Sequence, residues 1–218
     1  MGHRVGKLPN GDRLDKEDLI KSYDNHFSGS GWWKDTNKHH VLDKAVFSEI
    51  ENRKDHFVLL DMGCGEGRTI NLIKRNKHAG IIGIDFSGEA LKKARINNPE
   101  ENIILMQGNI ENVPLGDNSV DVIVSLGSHE HLDEPDFSEP RRLIKEDGIF
   151  LLVLPACEED SKNNGRWVKK GAQSEWWYSR KRWRKIIEPF GWKCCDELLP
   201  IENAPLKYYD WWFKCLPV

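Results

Sequence analysis

Leu59-Leu60-Asp61-Met62-Gly63-Cys64-Gly65-Glu66-Gly67-Arg68-Thr69 runs from an apolar strand into an acidic residue and three alternate glycines, just before a helical pattern begins. Glycine accepts positive φ and carries no side chain, so this turn is expected to be tight and to offer bare backbone N–H groups to a ligand at a helix N-terminus. A nucleotide-like cofactor is the expected occupant. The dinucleotide fingerprint G-x-G-x-x-G would put its third glycine at position 68, where this chain has Arg68; the third glycine is Gly67.

Outward from the loop, apolar runs and helical periods alternate. The strand 57–60 is followed by a helix over 69–75, the strand 81–84 by a helix over 88–97, and the strand 119–125 by a helix over 136–144 before the strand 149–154. Such alternation predicts a parallel sheet with helices on both faces. Ser87 is placed to cap the second helix and Asn97-Asn98-Pro99 to stop it. Strand 81–84 ends in Asp85, about twenty residues past the glycines, where an acidic side chain can accept ribose hydroxyl hydrogens. Upstream, residues to about 40 are polar and irregular, and Val41, Leu42, Ala45, Val46 and Ile50 recur at helical spacing over 41–51.

D-x-G-x-G-x-G, then Asp85, then Gly108-Asn109-Ile110 after the strand 103–106, then Ser119-Val120-Asp121-Val122-Ile123-Val124-Ser125, then Glu130-His131-Leu132-Asp133-Glu134-Pro135 and Leu143-Ile144-Lys145-Glu146-Asp147-Gly148 follow in register. Together they resemble the class I S-adenosylmethionine-dependent methyltransferases, in the small-molecule branch of the methyltransferase type 11-like domains, over roughly residues 20–155. The resemblance implies an α/β, Rossmann-like, seven-stranded, mostly parallel sheet with helices on both faces and its last strand antiparallel. A helix over 179–189 and strands over 193–199 and 208–216 would complete it. The implied cofactor is S-adenosyl-L-methionine, leaving as S-adenosyl-L-homocysteine. By the same resemblance Gly63 and Gly65 contact its methionine end, Asp61 lies near its amino group, Asp85 holds the ribose, and Ser125 belongs to the cofactor side of the fourth strand. Phe86 lies on the adenine or in the core, two readings of equal standing. Ile110 offers a backbone N–H to the ring and Asn109 meets the exocyclic amine. The family more often has Asp at that last position, which implies an altered adenine contact.

The chain has 218 residues and a formal charge of -3, which fits one domain over 1–218 and disfavours a wide positive field for nucleic acid. Within it, residues 1–40 read as a lid or cap and 156–178 as an insertion contributing to the substrate pocket. Five cysteines without a C-x-x-C pair, and no recognisable secretory signal, lead to an expectation of reduced thiols and a cytoplasmic location. No apolar run nears the roughly eighteen residues of a membrane span, so no membrane is expected, and nothing in the pattern sets an oligomeric state. Cys215-Leu216-Pro217-Val218 formally fits a prenylation box, but its proline and terminal valine are atypical and a closing strand is the better reading.

Gly127-Ser128-His129-Glu130-His131 follows the fourth strand, where substrates of open α/β folds meet the cofactor. His129 and His131 are the candidate bases; for Glu130 and His131 a purely structural role in the loop weighs equally. Some metal-dependent O-methyltransferases add a Glu three residues before this Glu, which is Gly127 here; the usual set is incomplete, His129 or Asp133 would have to substitute, and no metal is expected. Tyr23 resembles a lid tyrosine. Trp32, Trp33, Trp176 and Trp177 are candidate pocket walls, against the alternative that they fill core. Residues 162–185 are densely basic, with Glu175 the only acidic residue and aromatics interleaved. The expected function is methyl transfer to oxygen or nitrogen of a small molecule; the alternatives are an RNA or protein methyltransferase docking through 162–185, or a non-catalytic subunit that only binds the cofactor.

Overall fold

The computed structural model describes residues 20, 21, 24, 25, 28, 48–132, 134–157, 159–162, 164–170, 173–198 and 209–218. Tyr23, Trp32, Trp33 and most of the expected 41–51 helix lie outside them, although 48–50 are helical.

The strands are β1 (Phe57–Met62), β2 (Ala79–Asp85), β3 (Ile103–Gln107), β4 (Val120–Leu126), β5 (Ile144–Ala156), β6 (Arg166–Lys170), β7 (Gln173–Trp177), β8 (Trp192–Leu198) and β9 (Tyr209–Pro217). The helices are α1 (Arg68–Ile73), α2 (Gly88–Asn97), α3 (Ser138–Leu143) and α4 (Arg180–Ile187). Seven strands form one sheet in the order β3-β2-β1-β4-β5-β9-β8. Only β9 runs antiparallel to its neighbours, as the resemblance implies. Strand order reverses between β1 and β4, which opens a crevice at their carboxyl ends. The glycine loop leaves β1 there, and the loop 127–131 leaves β4 beside it.

Burial on both faces explains why these strands read as continuous apolar runs. Leu60, Met62, Ile123, Phe150 and Leu152 enter one core with Trp183 and Trp192; Leu59, Val122, Val124 and Leu151 enter the other with Ile70 and Ile73. Period-two alternation along each strand sends neighbours to opposite cores. Ser87 caps α2 as expected, its hydroxyl accepting from the Ala90 N–H at 3.1 Å, a contact of about 1 kcal/mol. Lys145 to Gly148, expected as a lead-in, belong to β5, with a register shift opposite Val120 and Val122.

Two expectations change. The 156–178 insertion contains a two-stranded hairpin, β6 with β7, that sequence periodicity did not distinguish. Cys194 and Cys215, expected as thiols, are joined in a disulfide because β8 and β9 set them directly opposite; Cys64, Cys157 and Cys195 form no disulfide.

Candidate cofactor and active site

The glycine loop is held from within. Gly63 and Cys64 N–H groups donate to the Ile84 carbonyl at 2.8 and 3.0 Å, Gly67 N–H to the Cys64 carbonyl at 2.9 Å, and Gly65 N–H to Asp85 Oδ2 at 2.8 Å. Gly63, Gly65 and Gly67 all take positive φ, which this inward turning requires. The expected row of bare N–H donors is therefore corrected: the glycine donors are spent on β2 and on the loop itself. A pyrophosphate needs those donors, so the geometry disfavours a dinucleotide for a reason independent of glycine spacing.

An acceptor is left instead. Asp61 is 2 % exposed, and its Oδ2 has no hydrogen-bond partner among the described residues. Burial, reinforced by repulsion from Asp85 and only partly offset by Arg68, pushes its carboxyl up to about 7. A buried carboxylate of this kind calls for a cationic hydrogen-bond donor. Asp85 is also buried; its pKa is raised by desolvation, which N–H donors from Ser87, Gly65 and Phe86 oppose. Each oxygen accepts one backbone N–H, and a carboxylate has lone pairs for more. Cys64 is buried, and desolvation beside Asp61 and Asp85 raises its thiol well above the ordinary range, so it acts as a small apolar residue.

Beyond Asp85 a cleft of about 240 Å³ is lined by Ile20, Phe86, Gln107, Gly108 and Asn109. Asn109 Oδ1 accepts the Glu111 N–H at 3.0 Å, which fixes the amide at the rim, while Ile110 packs half-buried against the core. Asp24 reaches over from the N-terminal segment, accepting from Ser87 Oγ and from the Glu89 N–H at 3.2 Å. That anchor brings Ile20 to the cleft, and the sequence offered no local signal for it.

Residues 60–152 match a methyltransferase-domain family model. Over these residues the chain is similar to the class I S-adenosylmethionine-dependent methyltransferases. A probable S-adenosylmethionine-dependent methyltransferase of Mycolicibacterium smegmatis is 33% identical over 114 residues, 51% of this chain and 43% of that one. A putative 23S rRNA (guanine-N(1)-)-methyltransferase of Bacillus subtilis is 28% identical over 123 residues, 55% of this chain and 41% of its own length. The chain spans under half the length of these curated relatives. In fold it is similar to 1,6-didemethyltoxoflavin-N1-methyltransferase of Burkholderia thailandensis, solved with S-adenosylhomocysteine, at a TM-score of 0.70 and 16% identity, covering 93% of this chain and 87% of that one.

The residues present fit the methyltransferase cofactor, S-adenosylmethionine. It carries an ammonium for the orphaned Asp61 oxygen, a ribose for Asp85 and an adenine of a size for the cleft at Phe86.

On the expected substrate side the loop after β4 packs onto the glycine loop: a Cβ on Gly63 would lie 2.0 Å from Ser128 Oγ. His129, expected as a base, instead enters the core. It is 1 % exposed, its Nδ1 is 2.7 Å from Ser125 Oγ, and its ring stacks on Phe137 at 5.0 Å. Burial pulls its pKa down to about 3, so it stays neutral and walled from solvent. Ser125, expected at the cofactor, has its hydroxyl committed to this ring.

His131 remains in the crevice, on the turn His129–His131, with Nε2 3.9 Å from Glu130 Oε1. Glu175 of β7 meets the same pair: one ligand atom from each of Glu130, His131 and Glu175 lies within 4.8 Å of the others. Trp176 Nε1 donates to the Leu132 carbonyl at 3.1 Å and Trp177 Nε1 to Glu175 Oε1 at 2.8 Å. Trp176 thus fastens the hairpin over the loop, while Trp177 orients Glu175 within β7. Sequence reading missed Glu175 as a site residue; its one signal was being the lone acid in a basic run.

Proposed function

We propose that this chain transfers a methyl group from S-adenosylmethionine to an oxygen or nitrogen of a small-molecule acceptor. The observation that carries the reading is the buried Asp61 oxygen, unpartnered among the described residues, at a glycine loop whose own donors are spent. Bound there, the sulfonium supplies an electrophilic methyl group. Asp61 would hold the ammonium, Asp85 the ribose, and Phe86 with Asn109 the adenine. Methyl transfer is an in-line displacement in which orientation supplies most of the rate. The β6–β7 hairpin, docked through Trp176, would exclude water from an acceptor beside Glu130 and His131, with Trp177 as a further wall of that site. An aromatic or amine-bearing acceptor suits those walls. Tyr23, Trp32 and Trp33 are proposed to close the same site from the N-terminal side.

Docking of RNA through the basic segment is less well supported. Of its aromatics, Trp183 and Tyr178 are buried, Trp176 stacks on Tyr178 at 5.5 Å, and Arg182 lies over the Tyr178 ring at 5.0 Å. These rings serve the fold and leave few faces for bases. Among the described residues no helix is long and apolar enough to cross a membrane. A cytoplasmic setting remains part of the proposal, and the Cys194–Cys215 disulfide, a feature of oxidising compartments, is the observation that weighs against it.

Calorimetric titration with S-adenosylmethionine, S-adenosylhomocysteine and a nicotinamide dinucleotide tests the cofactor. Saturable binding of the first two is expected, and preference for the dinucleotide would overturn the assignment. Formation of S-adenosylhomocysteine with amines or phenols then tests the acceptor class; turnover with carboxylates alone would overturn that part, and none with any acceptor would favour a non-catalytic subunit.

A further inference from the structure

Glu130, His131 and Glu175 come from two elements 44 residues apart in sequence, yet each offers a ligand atom within 4.8 Å of the others. We propose that they form a divalent-cation site at the acceptor end of the crevice, with Glu175 of the hairpin completing an incomplete Glu-His pair on the loop after β4.

Four features support a metal. Both carboxylates are buried, and two carboxylates brought together away from water repel unless a cation or proton lies between them. Two hard oxygens with one imidazole nitrogen are a ligand set for Mn²⁺ or Zn²⁺, not for a soft ion that needs thiolates. Three ligands spread evenly around one ion at roughly 2.1 Å lie about 3.6 Å apart, so side-chain rotations that draw these atoms in by about an ångström close the set. Trp177 Nε1 donates to Glu175 Oε1 at 2.8 Å, the kind of outer hydrogen bond that orients a metal-binding carboxylate.

Three protein ligands leave coordination positions open. Ser128, on the same loop, abuts Gly63 of the cofactor loop, so those positions border the place where a methyl acceptor would lie. The ion would bind an acceptor oxygen and favour its deprotonated form, the proton leaving to water. This role rests on the methyltransferase reading; binding of the ion does not.

The test uses the full chain after dialysis against a chelator, titrated with MnCl₂ and followed by the electron paramagnetic resonance of Mn²⁺, without cofactor or acceptor. One bound ion per chain is expected, with a hyperfine coupling to one ¹⁴N. Glu175→Gln should weaken binding at least about tenfold, and His131→Ala should remove the nitrogen coupling while both variants keep the wild-type circular dichroism. Absence of saturable Mn²⁺ binding to the wild type would overturn the proposal, as would a bound ion lacking nitrogen coupling; both readouts stand without any variant folding. Unchanged affinity in a folded Glu175→Gln would do the same. S-adenosylhomocysteine binding, measured on the same metal-free sample, separates failure of this site from failure of the methyltransferase reading.

Discussion

Asp85 Oδ2 accepts the Gly65 N–H at 2.8 Å across the mouth of the crevice. Its other oxygen accepts the Ser87 N–H at 2.9 Å, so one carboxylate ties the glycine loop to the N-terminus of α2 and still faces the ribose position. Asp85→Ala removes the loop's anchor and the ribose contact together. Hydrogen bonds to a charged group contribute about 1.5–3 kcal/mol each, so S-adenosylhomocysteine affinity should fall at least about a hundredfold. Amide exchange at Gly65 should accelerate in the same variant. Equal calorimetric affinities for wild type and variant would remove Asp85 from the site.

The raised carboxyl of Asp61 makes cofactor binding proton-linked. With its folded pKa near 7 against an ordinary 3.8, the ligand-free chain holds a proton there at pH 6 that an ammonium must displace. Affinity should therefore rise from pH 6 to pH 8, by up to about tenfold per unit below the pKa, with proton release visible as a dependence of the calorimetric enthalpy on buffer. The stability of the ligand-free fold has the opposite sign. Between the two pKa values the folded chain binds more protons than the unfolded one, so this group's contribution is full below about 3.8 and is lost as pH rises through about 7. Asp61→Asn should flatten both profiles, raising the melting temperature above pH 7 while weakening the cofactor. An enthalpy that is the same in all buffers at pH 6 would contradict the linkage.

His129 separates packing from catalysis. Its ring is sealed between Phe137 and Ser125, so His129→Ala leaves a cavity costing about 2–4 kcal/mol and an unpaired Ser125 hydroxyl. A fall in melting temperature on the order of 10 °C is expected, with turnover by the folded fraction unchanged within about threefold. Loss of kcat by orders of magnitude at a temperature where the variant is folded would restore His129 as the base.

Local chemistry was legible in the sequence, and tertiary convergence was not. The parallel sheet with its helices follows from apolar runs alternating with helical periods, its seven strands came from the family resemblance, and Asp61, Gly63 and Asp85 lie where strand ends put them. The direction of the glycine N–H groups was misjudged because it depends on β2 standing alongside, a neighbour that spacing does not reveal. His129 read as a base because a histidine beside Glu130 and His131 looks polar, whereas the turn His129–His131 sends it inward. Glu175 and the Cys194–Cys215 pair are contacts of register and docking: each needs β7 or β9 to be placed before its partner can be named.

Gly63 and Ser128 form the seam between the cofactor loop and the acceptor loop. Gly63 has φ +78, and a Cβ there would stand 2.0 Å from Ser128 Oγ and 2.6 Å from its Cβ. Gly63→Ala therefore meets two costs, about 1–2 kcal/mol of left-handed strain and an overlap of about 1–3 kcal/mol if the seam opens. The overlap is relieved by removing the Ser128 side chain, but the strain is not. Denaturant unfolding should show Gly63→Ala destabilised by about 2–5 kcal/mol, and Gly63→Ala with Ser128→Gly recovering part of that loss, since residues in contact are not additive. S-adenosylhomocysteine affinity should follow the same order, because opening the seam moves Asp61 relative to the loop. Strict additivity of the two substitutions would mean that the loops do not touch at this seam.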